Sequence, residues 1–208
     1  LMPTGLPAGR VVLQASKVSG GPDAGRPIIR NFSLTMTGPE RVAISGPNGS
    51  GKTSLLRLLC GDLVPSAGHV ERIGRMAFLD QTISLIDPAL SIRDNFRALN
   101  PQADDNTGRA ALARFMFRAD AALQIAGSLS GGEMLRAALA CTIGGNHPPQ
   151  LLVLDEPTNH LDIHAIAQVE AGLRDYDGAL LVVSHDPDFL EAIGIDRVVT
   201  LGGSVNGI

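Results

Sequence analysis

Apolar residues in this chain fall in short continuous runs rather than in the polar–apolar alternation of a strand with one wet face. Three such runs are predicted to be strands covered on both faces, as in a parallel sheet: residues 41–45, 150–155 and 178–184. Segments with helical spacing of apolar residues alternate with them: residues 53–61, 131–143 and 164–176. This alternation predicts an α/β fold with a mostly parallel sheet.

Two other regions depart from that pattern. Residues 10–16 and 31–37 are β-like and flank a glycine-rich stretch, which predicts a small antiparallel β subdomain. Residues from about 82 to 135 are mainly polar, helical and interrupted by proline, which predicts a helical insertion. The first ten residues, rich in proline and glycine, are interpreted as a linker remnant before a single domain at 11–208.

Composition and charge exclude some classes of function but do not identify one. The 208 residues carry a net charge of -4, so the chain as a whole does not attract nucleic acid. Cys60 and Cys141 lie in apolar surroundings and are predicted to be buried free thiols, which favours a reducing compartment. With no apolar run of about 20 residues and no signal pattern, we expect a cytoplasmic protein.

The segment GPNGSGKT, residues 46–53, predicts a phosphate-binding loop of a P-loop NTPase, because it follows a predicted strand and precedes a predicted helix. Its glycines let backbone N–H groups point at phosphate oxygens. Lys52 is expected to reach the β and γ phosphates, and Thr53 to bind magnesium. The chain has only two lysines against fifteen arginines, so a lysine here fits a need for a compact ammonium. The alternative is a flexible glycine turn.

A second signal is the acid pair Asp155–Glu156, which ends the apolar run LLVLD and precedes a proline. Taken alone, such a pair is typical of a cap or a turn. Together with the phosphate loop, it predicts that Asp155 holds magnesium and that Glu156 orients or deprotonates the attacking water.

The motifs together resemble the ATP-binding-cassette ATPases, over residues 40 to 190. Besides the loop and the acid pair, that family has a signature LSGGE, here 129–133, a glutamine after a strand, here Gln81, and a later histidine, here His185. The resemblance implies that Gln81 contacts magnesium and water, and that His185 binds the γ phosphate. It also implies that Ser130 faces ATP on a second cassette, so that two cassettes bind head to tail. Alternatives are a helix cap at Ser130 and Glu133, a polar strand end at Gln81 and a capping histidine.

These interpretations give a defined set of candidate site residues. The predicted catalytic residues are Glu156, His185 and Gln81, and the predicted magnesium ligands are Thr53, Gln81 and Asp155. The residues predicted to bind nucleotide are Gly46, Pro47, Asn48, Gly49, Ser50, Gly51, Lys52, Thr53, Ser54, Ser130, Gly131, Gly132 and Asp162. The remaining histidines, with no set of partner ligands, are interpreted as surface or capping residues: His69, His147, His160 and His164.

The sequence departs from the family in one place. An aromatic side chain normally stacks on adenine from the early β region, but residues 16–25 contain none. We expect the base to rest on Val18 or on another aliphatic group, at a loss of about 1 kcal/mol compared with stacking.

The segment EPTNHLD, residues 156–162, is similar to the ABC-F group, whose members carry two cassettes in one chain and act largely on ribosomes. The resemblance implies an ATP-hydrolysing C-terminal cassette that closes on a second cassette, either in the same chain or in a homodimer. It further implies that the full-length protein acts on the ribosome, without direct insertion into a membrane. Alternatives are a subunit that energises a membrane transporter and a nucleotide-gated scaffold. Ribosome binding would need local arginines, such as Arg93 with Arg97 and Arg114 with Arg118, each pair spaced to share a helix face. Ordinary solvated faces are the other interpretation of those pairs.

Overall fold

The computed structural model describes residues 1–23, 25–159 and 161–202, and these form eight strands and six α-helices. The strands are β1 (Val11–Gly20), β2 (Ile29–Thr37), β3 (Arg41–Ser45), β4 (Ala67–Arg72), β5 (Met76–Leu79), β6 (Leu151–Asp155), β7 (Ala179–Val183) and β8 (Arg197–Thr200). The helices are α1 (Lys52–Cys60), α2 (Ile92–Leu99), α3 (Asp105–Arg114), α4 (Gly131–Ile143), α5 (Ile163–Arg174) and α6 (Pro187–Ala192).

Five strands form a parallel sheet in the order β5-β6-β7-β3-β8, and three form an antiparallel sheet in the order β2-β1-β4. The predicted α/β class, parallel sheet and small antiparallel subdomain are therefore confirmed. Because β3, β5, β6 and β7 run in the same direction, the loops that follow them leave from one edge of the sheet. All of the strand-end motifs in the sequence lie on those loops.

The parallel sheet separates two hydrophobic cores. Leu152 and Leu154 of β6 pack into the core shared with the helical region, whereas Leu151 and Val153 pack into the core shared with α1 and the antiparallel sheet. All four side chains are essentially inaccessible to solvent. Since both faces of the strand must be apolar, the sequence shows a continuous run there instead of alternation.

The segment before β1 packs against the domain. Thr4 is buried, and its backbone N–H donates to the Asp177 carboxylate at 3.0 Å. The Arg75 guanidinium donates to the Thr4 carbonyl at 3.2 Å. These bonds attach Thr4 to the domain. The interpretation of residues 1–10 as a linker remnant stays a prediction, as do the proposed domain boundaries.

The arginine pairs behave differently from one another. Arg93 and Arg97 both lie on α2, as the spacing predicts, and Arg97 donates to Asp105 at 2.8 Å. The prediction for Arg114 and Arg118 is wrong, because α3 ends at Arg114. Met116 has a left-handed φ of 72°, which turns the chain before Arg118.

Both cysteines are free, as predicted, but only Cys141 is fully buried, and Cys60 is half-buried. Burial raises the pKa of each thiol to about 12. Both side chains therefore stay protonated at neutral pH, which gives them no reactive thiolate. The histidines predicted at the surface, His69, His147 and His164, are exposed, and His160 lies outside the described residues.

Candidate functional site

The phosphate loop connects β3 to α1, and its lysine is held at the start of the helix. Gly49 and Gly51 adopt left-handed backbone conformations, with φ of 79° and 93°. The Lys52 side chain is buried, and its Nζ donates to the Gly46 carbonyl at 2.9 Å and to the Pro47 carbonyl at 3.1 Å. Two of the three ammonium N–H bonds are thus used to orient the head group along the inside of the loop.

Asp155, the last residue of β6, is a buried acid. Neither carboxylate oxygen has a hydrogen-bond partner among the described residues, and both are shielded from solvent. Burial raises the pKa of Asp155, although the nearby Thr53 hydroxyl and the charges of Arg57 and Lys52 oppose this. A buried carboxylate without partners is costly, and a bound cation is a common way to compensate it.

The donor groups around Asp155 fit magnesium. No cluster of three or more His, Cys, Asp or Glu side chains that could hold a metal occurs in the described ranges. Magnesium is usually bound by one or two carboxylates, together with waters and phosphate oxygens, rather than by such a cage. The Asp155 carboxylate and the Thr53 hydroxyl, beside a phosphate loop, meet that requirement.

Glu156 follows Asp155 and is placed by an unusual backbone conformation. Its φ of 49° is left-handed, which costs a non-glycine residue of the order of 1 kcal/mol. The Glu156 N–H donates to the Val183 carbonyl at 2.8 Å, which ties the end of β6 to the end of β7. The side chain is only 10% exposed, and its Oε1 lies 3.2 Å from Nε2 of His185, a half-exposed residue in the loop after β7.

Gln81 lies in the exposed loop after β5, and the residue before it holds that loop. Oδ1 of Asp80 accepts from the Ser84 N–H at 2.9 Å, and Oδ2 accepts from the Ser84 hydroxyl at 2.9 Å. Thr82 Oγ1 also donates to Asp80, at 3.2 Å. We did not predict this role from the sequence, although an aspartate followed by Thr and Ser at two and four residues is typical of such a side-chain-capped turn.

A cavity of about 410 Å³ brings most of the predicted residues together. It is lined by Ile28, Asn48, Gly49, Gly51, Lys52, Thr53, Ser54, Gln81, Asp155, Glu156 and Val183. Gly46, Pro47 and Ser50 belong to the same loop but do not line this cavity, and the Ser50 hydroxyl is buried without a partner among the described residues. A second cavity, of about 560 Å³, shares Gln81, Asp155 and Glu156 with the first.

The signature residues are not part of the phosphate-loop cavity. The Ser130 hydroxyl accepts from the Glu133 N–H at 3.4 Å, and the Glu133 carboxylate accepts from the Ser130 N–H at 2.9 Å, which forms a capping box at the start of α4. The structure therefore contains the helix cap that was one of the two interpretations of this motif. Gly131 lines the second cavity, next to Glu156.

Gly132 and Asp162 have structural roles that the sequence did not reveal. A Cβ on Gly132 would lie 2.6 Å from the Cβ of Ala165, so the glycine permits α4 and α5 to approach closely. The exposed Asp162 caps α5, because its carboxylate accepts from the Ala165 N–H at 2.7 Å. Any contact of Ser130, Gly131, Gly132 or Asp162 with nucleotide stays a prediction.

The expectation that a nucleobase rests on Val18 is wrong. The Val18 side chain has no solvent exposure and packs in the core between the antiparallel sheet and α1. It therefore offers no accessible surface to a base. Tyr176 is also buried, with its hydroxyl donating to the Pro149 carbonyl.

Known proteins match both the sequence and the fold. A model of the ABC transporter family matches residues 29–159. The ATP-binding protein Uup-like of Haemophilus influenzae is 35% identical over an alignment of 191 residues that covers 88% of this chain and 41% of that protein. The energy-dependent translational throttle protein EttA of Mycobacterium tuberculosis is 34% identical over an alignment of 199 residues that covers 91% of this chain and 35% of that protein. These relatives are consistent with an ABC-F cassette.

Solved structures have the same fold. A bacterial Atm1-family ABC exporter with ATP bound gives a TM-score of 0.77 at 22% identity, covering 97% of this chain and 39% of the exporter chain. A putative metal-chelate type ABC transporter gives 0.74 at 23% identity, covering 92% of this chain and 80% of the other. Within the described residues, no helix has the length and apolar character required to cross a membrane.

Proposed function

This chain belongs to the ABC transporter family of ATP-binding domains, and from that premise we propose that it is an ABC-F cassette that hydrolyses Mg²⁺-ATP. The observation that carries the proposal is the buried Asp155 carboxylate, which lacks partners among the described residues and lines one cavity with Lys52 and Glu156. An acid in such a position is costly to folding unless it binds a cation.

Each residue at the strand ends has a distinct task in the proposed reaction. Lys52 and the backbone N–H groups of its loop bind the phosphates, and Asp155 and Thr53 hold Mg²⁺, which neutralises phosphate charge when bound. Glu156 accepts the proton of the attacking water, and Gln81 orients that water. Before ATP binds, His185 orients the Glu156 carboxylate, and with ATP bound its imidazole N–H donates to the γ phosphate. General-base positioning of this kind contributes roughly 10²- to 10⁴-fold in rate.

The signature residues require a second cassette in this proposal. Ser130 and Gly131 lie at the start of α4, outside the phosphate-loop cavity, so they would contact ATP held by another cassette. The chain spans 41% of the Uup-like protein and 35% of EttA, which leaves room in those relatives for a second cassette. We take the second cassette to lie in the same protein, with this one C-terminal, and ATP to close the pair head to tail.

The proposed partner is the ribosome, and the support is the similarity to a protein whose name describes a translational throttle. Substitution of Glu156→Gln should preserve ATP binding and slow turnover about 100-fold or more, and so hold the cassettes closed. ATP-dependent co-sedimentation of this variant with ribosomes would support the proposal. Glu71→Gln, at an exposed site on β4, is the matched control and should leave turnover unchanged.

The alternative is a subunit that powers a membrane transporter. Co-purification of Glu156→Gln with a membrane complex, and no co-sedimentation with ribosomes, would favour it. Unchanged turnover in Glu156→Gln would contradict hydrolysis by this site and favour a nucleotide-gated scaffold.

A further inference from the structure

An exposed isoleucine stands beside the phosphate loop. Ile28, just before β2, is 49% exposed, whereas its neighbour Ile29 is 3% exposed. Among the described residues that line the phosphate-loop cavity, Ile28 is the one contributed by the antiparallel β region. Its side chain therefore presents apolar surface to the part of a ligand that extends beyond a phosphate bound by Lys52.

Glycines surround Ile28: one fixes its backbone, and others contact its side chain without a Cβ of their own. The Ile28 N–H donates to the Gly20 carbonyl at 3.0 Å, which fixes the backbone across the hairpin. A Cβ on Gly51 would lie 2.7 Å from Cγ2 of Ile28, and a Cβ on Gly21 would lie 3.5 Å from Cγ1. A side chain at Gly51, which also lines the cavity, would therefore crowd the isoleucine, and the glycine leaves its cavity side accessible.

No aromatic ring competes with Ile28 for this position among the residues that line the cavity. Val18 is fully buried. Val183, at the end of β7, also lines the cavity but has no solvent exposure, and the remaining side chains are polar or belong to the phosphate-binding and catalytic loops. A flat base beside the phosphates would therefore find its apolar contact at Ile28.

We propose that Ile28 is the platform for the nucleobase, and that the site accepts nucleoside triphosphates with little discrimination between bases. This inference rests on the proposed function. An aliphatic side chain contacts the face of any base and makes no hydrogen bond to its edge. Strong discrimination between substrates requires polar groups that one substrate leaves unpaired, whereas apolar contact discriminates weakly.

The test compares whole nucleotides with a ligand that has no base. Calorimetry with Mg²⁺ measures the affinities of ATP, GTP, CTP and inorganic tripolyphosphate for the unsubstituted chain, Ile28→Ala and Ile28→Tyr. The unsubstituted chain should bind the three nucleotides within about threefold of one another. Ile28→Ala should weaken each nucleotide about fivefold, and Ile28→Tyr should strengthen each about tenfold by stacking. Tripolyphosphate affinity should not change with either substitution.

The matched control is Ile125→Ala, because Ile125 is also 49% exposed and lies in the helical region, outside the cavity lining. It should leave all four affinities unchanged, and circular dichroism checks that every variant is folded. The inference would be overturned if the nucleotide affinities did not change with substitution of Ile28, or if the tripolyphosphate affinity did. A preference for ATP over GTP above about tenfold would also overturn it. None of these results would affect the proposed function. Failure of the folded chain to bind any triphosphate would overturn the proposed function together with the inference.

Discussion

The Nε2 atom of His185 lies 3.2 Å from the Oε1 atom of Glu156, across the ends of adjacent strands β7 and β6. A backbone bond from the Glu156 N–H to the Val183 carbonyl, at 2.8 Å, joins the same two strand ends. The histidine and the carboxylate are therefore positioned by one pair of strands.

Loss of the histidine should slow the chemical step more than it weakens nucleotide binding. We expect His185→Ala to lower kcat about tenfold or more, with KM for ATP changed by less than about threefold, since the phosphate loop is untouched. Steady-state ATPase kinetics measure both values. His164→Ala, at an exposed position on α5, should behave as the unsubstituted chain, and an equal loss in that control would refute the specific role of His185.

Replacement of the buried Asp155 should change stability and metal binding in opposite directions. Asp155→Asn removes a charge whose two oxygens have no partner in the described structure, so the chain without ligand should be more stable by about 1 kcal/mol. The same change should abolish the dependence of ATP affinity on Mg²⁺. Urea denaturation and calorimetry measure the two effects, and a destabilised variant that keeps its Mg²⁺ dependence would contradict the assignment.

The pH dependence of stability has a definite sign at this residue. Burial raises the pKa of Asp155 in the folded chain above its unfolded value of about 3.9. Folding then favours the protonated form, so the contribution of this group is fully present below the unfolded pKa and is lost as pH rises through the folded pKa. The stability advantage of Asp155→Asn over the unsubstituted chain should therefore grow as pH rises from the unfolded pKa to the folded pKa of Asp155.

The two glycines of the signature should respond differently to alanine. A Cβ on Gly132 would lie 2.6 Å from Ala165, so Gly132→Ala should destabilise the fold by about 1 to 3 kcal/mol through overpacking of α4 on α5. At Gly131 the nearest atom to a Cβ is 3.8 Å away, so Gly131→Ala should fold normally. Thermal denaturation distinguishes them. Equal stability of both variants would show that α4 and α5 do not pack as closely as described.

The capping box at the start of α4 should contribute to the free energy of unfolding by an amount that depends on pH. The hydrogen bond from the Ser130 hydroxyl lowers the pKa of Glu133, so stability from Glu133 is present above its unfolded pKa of about 4.3 and is lost as pH falls through the folded pKa. Ser130→Ala should cost about 1 kcal/mol at pH 7 and less near pH 3. Urea denaturation at the two pH values tests this, and a cost that is independent of pH would argue against the box.

The parallel sheet and the strand-end motifs could be predicted because several local signals agree there. The bounds of α4 were predicted at both ends, since Ser130 and Glu133 form a cap and the apolar residues keep helical spacing. Strand β4 could not be predicted, because AGHVER is largely exposed and has no apolar pattern, and it pairs with β1 more than forty residues earlier. The burial of Val18 and the break before Arg118 likewise depend on tertiary packing and on one left-handed residue.

The central claim is that the loop around Lys52 and the acid Asp155 together bind Mg²⁺-ATP. The most direct test is calorimetric titration of the folded chain with ATP, with and without Mg²⁺, alongside Lys52→Ala. The account predicts saturable binding that weakens without Mg²⁺ and falls at least about tenfold in Lys52→Ala. Absence of nucleotide uptake by the folded chain, or equal affinity in Lys52→Ala, would contradict it.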